Sequence, residues 1–513
     1  MDSPADRDET SMNGSHGHSE LSRRRRMLIL VICSMSLLIV GLDVTIVNVA
    51  LPAIHRSFGA SVSGLQWTID AYTLTIASLL MLSGSTADRI GRRKVFQIGL
   101  VVFSAGSLLC ALAPTLQLLI AARVLQAIGG SMLNPVAMSI IRNVFDDPRE
   151  RAQAIGVWGG MIGLSMALGP VIGGALVDSL GWRWVFLVNV PVGLVAVMLT
   201  AIFVPESRAP HPRRLDPVGQ ALVIVALASL TYAIIEGGHV GFTAPGIIGL
   251  FCLSLASFVS LVFYELHRRE PLLEMRFFKS VPFSGASAIA IFAFAGQAGF
   301  LFLNTLYLQD VRGLSPFEAG LYVLPMAAMT LVFAPLAGRF VGRHGTRVPL
   351  VVTGLALTVA AVMLTQLTAH SSPEYVLGAY FVFGFGFGLV NPPITNTAVS
   401  GMPPSQAGVA AAVASTSRQV GATLGVAVLG AVAGAGISGE IGSSFAAATH
   451  ASWWIVAGLS FTIVILGLAT TTRWAQQTAV ETANRFREDG PQAGHPQGEA
   501  VPARRKTSQP TPV

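Results

Sequence analysis

The sequence predicts an all-α integral membrane protein with fourteen transmembrane helices, and three observations support this fold class. The 513-residue chain is 52% hydrophobic and only 12% charged, whereas soluble domains carry about 25% charged residues. Long apolar runs recur along the chain, each close to the roughly 20 residues that a helix needs to cross a bilayer. These runs are continuous rather than alternating, which excludes a transmembrane β-barrel.

The runs divide the chain into two six-helix bundles and two helices between them. The predicted spans are residues 27–50, 65–83, 95–113, 116–140, 152–177, 184–204, 217–236, 245–264, 283–307, 318–340, 348–368, 374–398, 406–434 and 452–472. The predicted regions are a disordered tail (1–26), an N-terminal bundle (27–204), two linker helices (205–282), a C-terminal bundle (283–472) and a second disordered tail (473–513).

Basic residues predict the orientation of the spans. With both termini in the cytoplasm, 28 of the 33 Lys and Arg residues fall on the inner side and three fall in outer loops. Such an excess is typical of cytoplasmic loops. The net charge of +7 therefore reflects membrane topology, and we expect no nucleic-acid partner.

An internal repeat supports two related halves. The segment "GSTADRIGRRKV" (84–95) has a weaker echo in "GRFVGRHGTRVP" (338–349), and "LNPVA" (133–137) is echoed by "VNPPI" (390–394). Repeats of this kind, with a central site between them, are found in many secondary transporters.

Four ionisable residues lie well inside predicted spans: Asp43, Asp70, Arg123 and Arg418. A charge at mid-bilayer costs about 2.5–3.5 kcal/mol on insertion scales, so each needs a partner or a water-filled cavity. Counting 1.5 Å per residue from the predicted helix ends places Asp43, Asp70 and Arg123 roughly 8–14 Å below the outer edge. We therefore expect one cluster in which Arg123 pairs with at least one aspartate. It is either a proton-coupling site or a static ion pair between helices.

Other polar residues are candidates for a substrate cavity. On span 4, Arg123, Gln126, Gly130 and Asn134 recur on one helical face, which faces a cavity or another helix. Arg418 has no acidic residue at its depth in the C-terminal half, so a structural role and a substrate-facing role stay open. Glu236, near a helix end, is either a helix-end residue or a coupling site.

Two segments suggest moving parts. The loop 84–94 combines residues suited to a tight turn and a helix end with basic residues: Gly84, Asp88, Arg89, Gly91, Arg92 and Arg93. Span 5 contains small residues and a proline that permit close packing and bending: Gly169, Pro170, Gly173 and Gly174.

Together these segments resemble the major facilitator superfamily, specifically its fourteen-span branch of drug:proton antiporters. The resemblance covers about residues 27–472. "LDVTIVNVALP" (42–52) is similar to the first-span motif of that branch, "GSTADRIGRRK" to the superfamily's loop motif and "RVLQAIGG" (123–130) to the span 4 motif. Residues 156–174 resemble the motif associated with antiporters. Ala127 and Ser165 stand where glycines are usual, and Gly342 replaces the acidic residue of the loop motif in its second copy.

The resemblance implies the major facilitator fold in the cell membrane and export of amphipathic drugs or antibiotics in exchange for protons. It assigns Asp43 and Arg123 to proton coupling and residues 84–94 to a cytoplasmic gate. The partners expected are a small molecule, protons and the lipid bilayer, with a monomeric protein and no cofactor or metal.

Two other function classes compete with drug export. One is a proton-coupled importer of a small nutrient with the same fold, against which the Gly-Pro motif of span 5 argues. The other is a membrane enzyme, which would need an intramembrane histidine, Ser–His pair or acidic metal cluster. The sequence contains no such pattern and no nucleotide-binding loop.

Overall fold

The computed structural model describes residues 22–209, 215–268, 271–402, 404–436 and 443–488. Within these residues the chain forms seventeen α-helices, one 3-10 turn and one π-turn, and no β-strand. An all-helical structure agrees with the sequence prediction, because a backbone in lipid must satisfy its hydrogen bonds within each helix.

The N-terminal group of helices comprises α1 to α7. Their bounds are α1 (Arg23–Phe58), α2 (Val62–Ile90), α3 (Arg92–Leu112), α4 (Leu116–Val144), α5 (Pro148–Leu180), α6 (Trp184–Leu187) and α7 (Asn189–Phe203). Four side chains cap these helices by accepting hydrogen bonds from backbone N–H groups of the first turn: Ser22, Ser61, Thr115 and Asp147. Such caps satisfy donors that a helix start leaves free.

A linker hairpin, α8 (Pro217–Val240) and α9 (Pro245–His267), follows the first group. Helix α8 packs against α2 and α15, whereas α9 packs mainly against α8. The hairpin therefore packs against the rest of the helix bundle through α8, and α9 lies at the periphery.

The C-terminal group comprises α10 to α16. It contains α10 (Val281–Leu306) with the π-turn Tyr307–Val311, α11 (Pro316–His344), α12 (Arg347–Leu364), α13 (Pro373–Gly388), α14 (Asn391–Val399), α15 (Pro404–Ala435) and α16 (Ser443–Ala469). The predicted span 374–398 is thus two helices, interrupted at Leu389 and Val390.

Several expected boundaries were wrong. Helix α1 begins at Arg23, inside the segment 1–26 expected to be disordered, and continues through Pro52 to Phe58. The C-terminal tail was also expected to be disordered, but Arg473–Glu488 forms helix α17. Its alanines Ala475 and Ala479 are buried, and such spacing on one face gives a helix a docking surface. Residues 1–21 and 489–513 of the expected tails lie outside the described residues.

Thirteen helical segments in the described ranges are long and apolar enough to cross a membrane, rather than fourteen. The predicted span absent from this set is α2, whose 29 residues suffice in length. Its sequence contains Asp70, Asp88 and many hydroxyl side chains, which lower its hydropathy.

Contacts between helix ends define two faces of the bundle. Arg26 pairs with Glu150 at 3.1 Å, and the N–H of Arg93 donates to Glu206 at 3.1 Å. We call this end, which holds Arg23, Gly91 and the start of α17, the basic face, and the other end the opposite face.

Candidate functional site

Asp43 on α1 is the centre of a buried polar network. Its Oδ2 accepts from Arg123 Nη1 on α4 at 2.5 Å, and its side chain is fully buried. Its Oδ1 accepts from Gln126 Nε2 at 2.7 Å and from Asn189 Nδ2 at 3.0 Å. The expected pairing of Arg123 with an aspartate is therefore present.

The network fits an ionised Asp43. Arg123 can only donate, so the oxygen of Gln126, 2.7 Å from Arg123 Nη1, must accept. That choice places the amide nitrogen of Gln126 toward Asp43 as a donor. All three partners of Asp43 then donate N–H groups, and none is positioned to accept a proton from a carboxylic acid. Protonation of Asp43 would therefore remove the negative charge that these donors stabilise, and would weaken the bonds.

The side chain of Arg123 is also contacted by a backbone carbonyl and two aromatic rings. Its Nε donates to the backbone oxygen of Thr68 on α2 at 3.1 Å. Its guanidinium lies 4.1 Å from the ring centroid of Tyr72 and 5.7 Å from that of Phe186. A cation against an aromatic face in a desolvated site gains stabilisation from the ring. These contacts therefore fix the position of the guanidinium, so that it cannot turn to bind another side chain in this conformation.

The sequence analysis missed two members of the network, Asn189 and Ser107. Ser107 Oγ lies 2.7 Å from Gln126 Nε2 and 3.4 Å from Asn189 Nδ2. Asn189 begins α7 after a break in the predicted sixth span. An asparagine inside an apolar run is a signal that could have found it, since polar side chains in spans are costly unless they are paired.

Asp70 does not join this cluster, contrary to the expectation. On α2 its Oδ1 accepts from Thr73 at 3.3 Å, and Thr73 bonds to Thr423 on α15 at 3.0 Å. The side chain is buried, and its Oδ2 has no partner among the described residues. The reason is angular: Asp70 is two residues from both Thr68 and Tyr72, which places it on the other side of the helix.

Three candidate cavity residues have different surroundings. Gln126 is fully buried in the Asp43 network, and its assignment to the cavity stays a prediction. The Oε1 of Glu236 accepts from Trp67 Nε1 at 3.0 Å between α8 and α2, and its assignment to the cavity also stays a prediction. Asn134 is partly buried, and its Oδ1 has no partner in the described part of the chain.

The segment 84–94 is mostly helical rather than a loop. Helix α2 extends to Ile90, so Gly84 lies inside it, and the turn consists of Gly91 alone with a φ of 128°. Such a φ favours glycine. Asp88 pairs with Arg92 at 3.0 Å, and Arg89 is exposed. Arg93 bonds to the segment after α7. The contacts described for this segment thus stay within the N-terminal group.

The small residues of α5 pack against two helices. A Cβ placed on Gly173 would lie 3.2 Å from the Cα of Ile46 on α1, and one on Gly174 would lie 2.6 Å from the Cα of Phe317 on α11. A Cβ on Gly169 would overlap the side chain of Thr45, and the carbonyl of Pro170 faces Gly320 on α11. Glycine is required here because the helix backbones touch.

Contacts between the two groups of helices concentrate at the opposite face. Asp178 Oδ2 accepts from the N–H of Phe317 at 2.9 Å, and Arg56 pairs with Asp310 at 3.5 Å. Gln66 Nε2 donates to the carbonyls of Val426 and Ala427 at 2.9 Å each.

Toward the basic face, α5 and α11 have open space beside them. A Cβ built on Gly156 or Gly159 of α5, or on Gly338 or Gly342 of α11, meets no atom of the described residues within 4 Å. The two groups therefore contact each other closely at the opposite face, whereas these glycines of α5 and α11 toward the basic face have no neighbour among the described residues.

Arg418 lies near the middle of α15, away from the Asp43 network. Its Nη1 is 3.5 Å from Thr395 Oγ1 on α14, and its guanidinium is 6.0 Å from the ring centroid of Phe294 on α10. No cluster of three or more His, Cys, Asp or Glu side chains suited to a metal occurs among the described residues.

The sequence profile of the Major Facilitator Superfamily matches residues 33–426. The chain belongs to the major facilitator superfamily. This is a family of transporters rather than enzymes, and the matched region includes both Asp43 and Arg123.

Relatives in this superfamily are drug efflux proteins. Multidrug resistance protein Stp of Mycobacterium tuberculosis is 36% identical over 418 residues, which are 82% of this chain and 78% of Stp. Multidrug efflux pump LfrA of Mycolicibacterium smegmatis is 34% identical over 409 residues, covering 80% of this chain and 81% of the pump.

A solved structure shows the same fold. A bacterial homologue of the human lysosomal transporter Spinster, in an inward-facing and unoccupied conformation, aligns with a TM-score of 0.61 at 20% identity. The alignment covers 90% of this chain and 99% of that one.

Proposed function

We propose that this protein exports small amphipathic drugs or antibiotics across the cell membrane in exchange for protons, by alternating access of a central site. The observation that carries this proposal is the buried Asp43–Arg123 pair, bridged by Gln126. It lies in a chain whose relatives are named for drug efflux and resistance. The partners are a drug, protons and the bilayer around a monomer.

Asp43 is the proposed proton carrier. In the present arrangement its carboxylate receives only N–H donors, which fits the state after proton release. A proton arriving at Asp43 competes with Arg123, since the two neutralise the same charge. Because Arg123 and Gln126 are joined, protonation frees both side chains, and this supports coupling between protonation and movement of α4.

Asp70 is a proposed second proton site. Its carboxyl group lies at the contact of α2 with α15, where the N-terminal and C-terminal groups meet through Thr73 and Thr423. A group at this contact can sense whether the two halves are closed. The unpartnered Oδ2 of Asp70 supports a site that binds a proton in one of the two states.

The basic face is proposed to be cytoplasmic, with both termini on that side and α2 as the fourteenth span. The unoccupied space beside the glycines of α5 and α11 there supports an inward-facing state. In the outward-facing state, the glycines of α5 would leave α11, and the segment 84–94, now bonded only within its own group, would close against the C-terminal half. Residues 27–204 and 283–472 would move as two bodies.

The test is the accumulation of ethidium in a pump-deficient bacterium that expresses the protein, with and without a protonophore. Proton-driven export predicts lower accumulation than in cells without the protein, restored by the protonophore. Lowered accumulation that the protonophore leaves unchanged would exclude proton coupling. Unchanged accumulation for ethidium and a panel of antibiotics would count against broad drug export.

A further inference from the structure

Arg418 is a cation in the middle of a membrane-spanning helix, and it has no counter-ion in the described part of the chain. It lies 14 residues after the start of α15, a helix of 32 residues. Among the described residues, no carboxylate oxygen lies within 4.0 Å of its nitrogens. Its contacts are a hydroxyl at 3.5 Å and an aromatic ring at 6.0 Å. Neither contact carries a negative charge.

Arg123 provides the contrast within the same molecule. That guanidinium is 1% exposed and donates to Asp43, Gln126 and the carbonyl of Thr68. Arg418 is only partly buried, and the hydrogen bond that it makes among the described residues lies on an accessible surface. A guanidinium has five N–H donors in a planar fork, so most of the capacity of Arg418 is unused. An intramembrane charge without a partner indicates a functional site.

The surroundings of Arg418 favour an anion. Thr395, the hydroxyl partner of Arg418, lies one turn after the start of α14 at Asn391. Thr395 is exposed, which fits a water-accessible interior space better than lipid. Phe294 packs edge-on against Phe387 with centroids 5.3 Å apart and adds an apolar aromatic wall. Positive charge beside an aromatic wall suits an amphipathic anion.

We propose that Arg418 binds a carboxylate, or a similar planar anionic group, of the exported substrate. Arginine is suited to this task because its two parallel N–H groups match the two oxygens of a carboxylate. The inference rests on the proposed export function and adds a preference to it: among amphipathic substrates, those that carry an acidic group are favoured. The apolar part of the substrate lies toward Phe294 and Phe387.

Two dyes that differ only at the acidic group test the proposal. Rhodamine 110 has a free carboxylate, and rhodamine 123 is its methyl ester. Purified protein is placed in liposomes with an imposed pH gradient, and the ratio of the initial transport rates of the two dyes is measured after subtraction of protein-free leakage. Ethidium transport under the same gradient tests the export function itself.

Wild-type protein should favour rhodamine 110 over rhodamine 123. Arg418→Gln should reduce the rate ratio about tenfold or more, the range expected for loss of a hydrogen bond to a charged group. Arg418→Lys should retain part of the preference for rhodamine 110, because lysine keeps the positive charge but lacks the two parallel N–H groups of the guanidinium. Arg339→Gln, which removes an exposed arginine at the basic end of α11, is the matched control and should leave the ratio unchanged.

The outcomes separate the two proposals. Ethidium transport with an equal rate for both rhodamines, or a ratio that Arg418→Gln does not alter, would overturn the role of Arg418 and leave export intact. If the wild type transports none of the three dyes under the gradient, both the export function and the inference are contradicted. If Arg418→Gln does not fold, the ratio for Arg418→Lys decides, since an unchanged ratio there contradicts recognition by the guanidinium fork.

Discussion

At the residue scale, the charge balance of the Asp43 network explains why an aspartate lies inside an apolar helix. Asp43 and Arg123 are both removed from solvent, and each would be costly alone. Gln126 forms hydrogen bonds with both Arg123 and Asp43, and Asn189 donates to Asp43. The two buried charges are therefore stabilised only when both are present with these hydrogen-bond partners. Removing one member leaves a buried charge, whereas removing both charges does not.

This balance predicts the stability of two variants. Asp43→Asn leaves the guanidinium of Arg123 buried without a counter-ion and should lower the stability by about 3–5 kcal/mol. Adding Arg123→Gln to Asp43→Asn removes the uncompensated charge and should recover a large part of that loss. Thermal unfolding of the purified proteins measures the difference. Equal stabilities of the single and double variants would show that the uncompensated charge of Arg123 is not what destabilises Asp43→Asn.

The same residues show how far sequence reasoning reaches. Depth along a helix follows from counting residues, and counting placed Asp43 and Arg123 at one level. Counting from uncertain helix ends does not give the rotation of a helix about its axis. Asp70 has a suitable depth but faces α15. Asn189 was visible as an asparagine inside an apolar run, but the break before α7 that places it in the network depends on tertiary packing.

At the element scale, α5 is held against its neighbours by glycine. Gly174 faces the backbone at the start of α11, where a Cβ would lie 2.6 Å from the Cα of Phe317. The contact has the small residues that close helix packing in a membrane requires. The sequence indicated this role for span 5, but only the structure identifies α11 as the partner.

A pair of alanine variants tests this contact. Gly174→Ala should force α5 from α11 and destabilise the present state by about 1–3 kcal/mol, as overpacking does. Gly156→Ala is the matched control, because a Cβ there meets nothing within 4 Å in the described residues. Thermal unfolding of both variants is the measurement. Gly174→Ala as stable as Gly156→Ala would contradict the tight contact.

Two side-chain hydrogen bonds connect the linker helix α8 to α2. Glu236 accepts from Trp67, and Gln220 Nε2 donates to the carbonyl of Ser78 at 2.6 Å. The sequence analysis did not predict these two contacts, because it considered Glu236 only as a helix-end or coupling residue and did not consider Gln220. The contact suggests that α8 moves with the N-terminal group.

Variants at Glu236 separate a structural role from a coupling role. Glu236→Gln keeps an oxygen that can accept from Trp67 and should be close to wild type in stability and transport. Glu236→Leu should cost about 1–3 kcal/mol of stability, because the indole N–H of Trp67 loses its acceptor. Unfolding midpoints and ethidium transport are the readouts. Loss of transport in a stable Glu236→Gln protein would instead indicate that the charge takes part in coupling.

At the scale of the whole molecule, the arrangement of contacts defines one conformation. The two groups of helices meet at the opposite face through α1, α2 and α5 on one side and α10, α11 and α15 on the other. Charge counting predicted which face is cytoplasmic, and the internal repeat predicted two halves. Which face is open could not be predicted, since one sequence must support both states.

A disulfide across the opposite face tests whether this closure opens during transport. A Cβ on Gly434 of α15 would lie 3.8 Å from the Cβ of Val62 on α2, which matches the spacing of a disulfide. Val62→Cys with Gly434→Cys should cross-link under oxidising conditions and stop transport, and reduction should restore it. Each single cysteine variant is the control. Full transport by the cross-linked protein would show that this contact does not open.

The most direct measurement follows protons rather than the drug. Purified protein in liposomes with a pH-sensitive dye inside receives ethidium without an imposed gradient, and the internal pH is recorded. Drug:proton exchange through Asp43 predicts an ethidium-dependent pH change in the wild type and none in the double variant Asp43→Asn, Arg123→Gln, provided that it is folded and binds ethidium. An equal pH change in that variant would contradict Asp43 as the proton carrier, and no pH change in a wild type that transports ethidium would contradict exchange altogether.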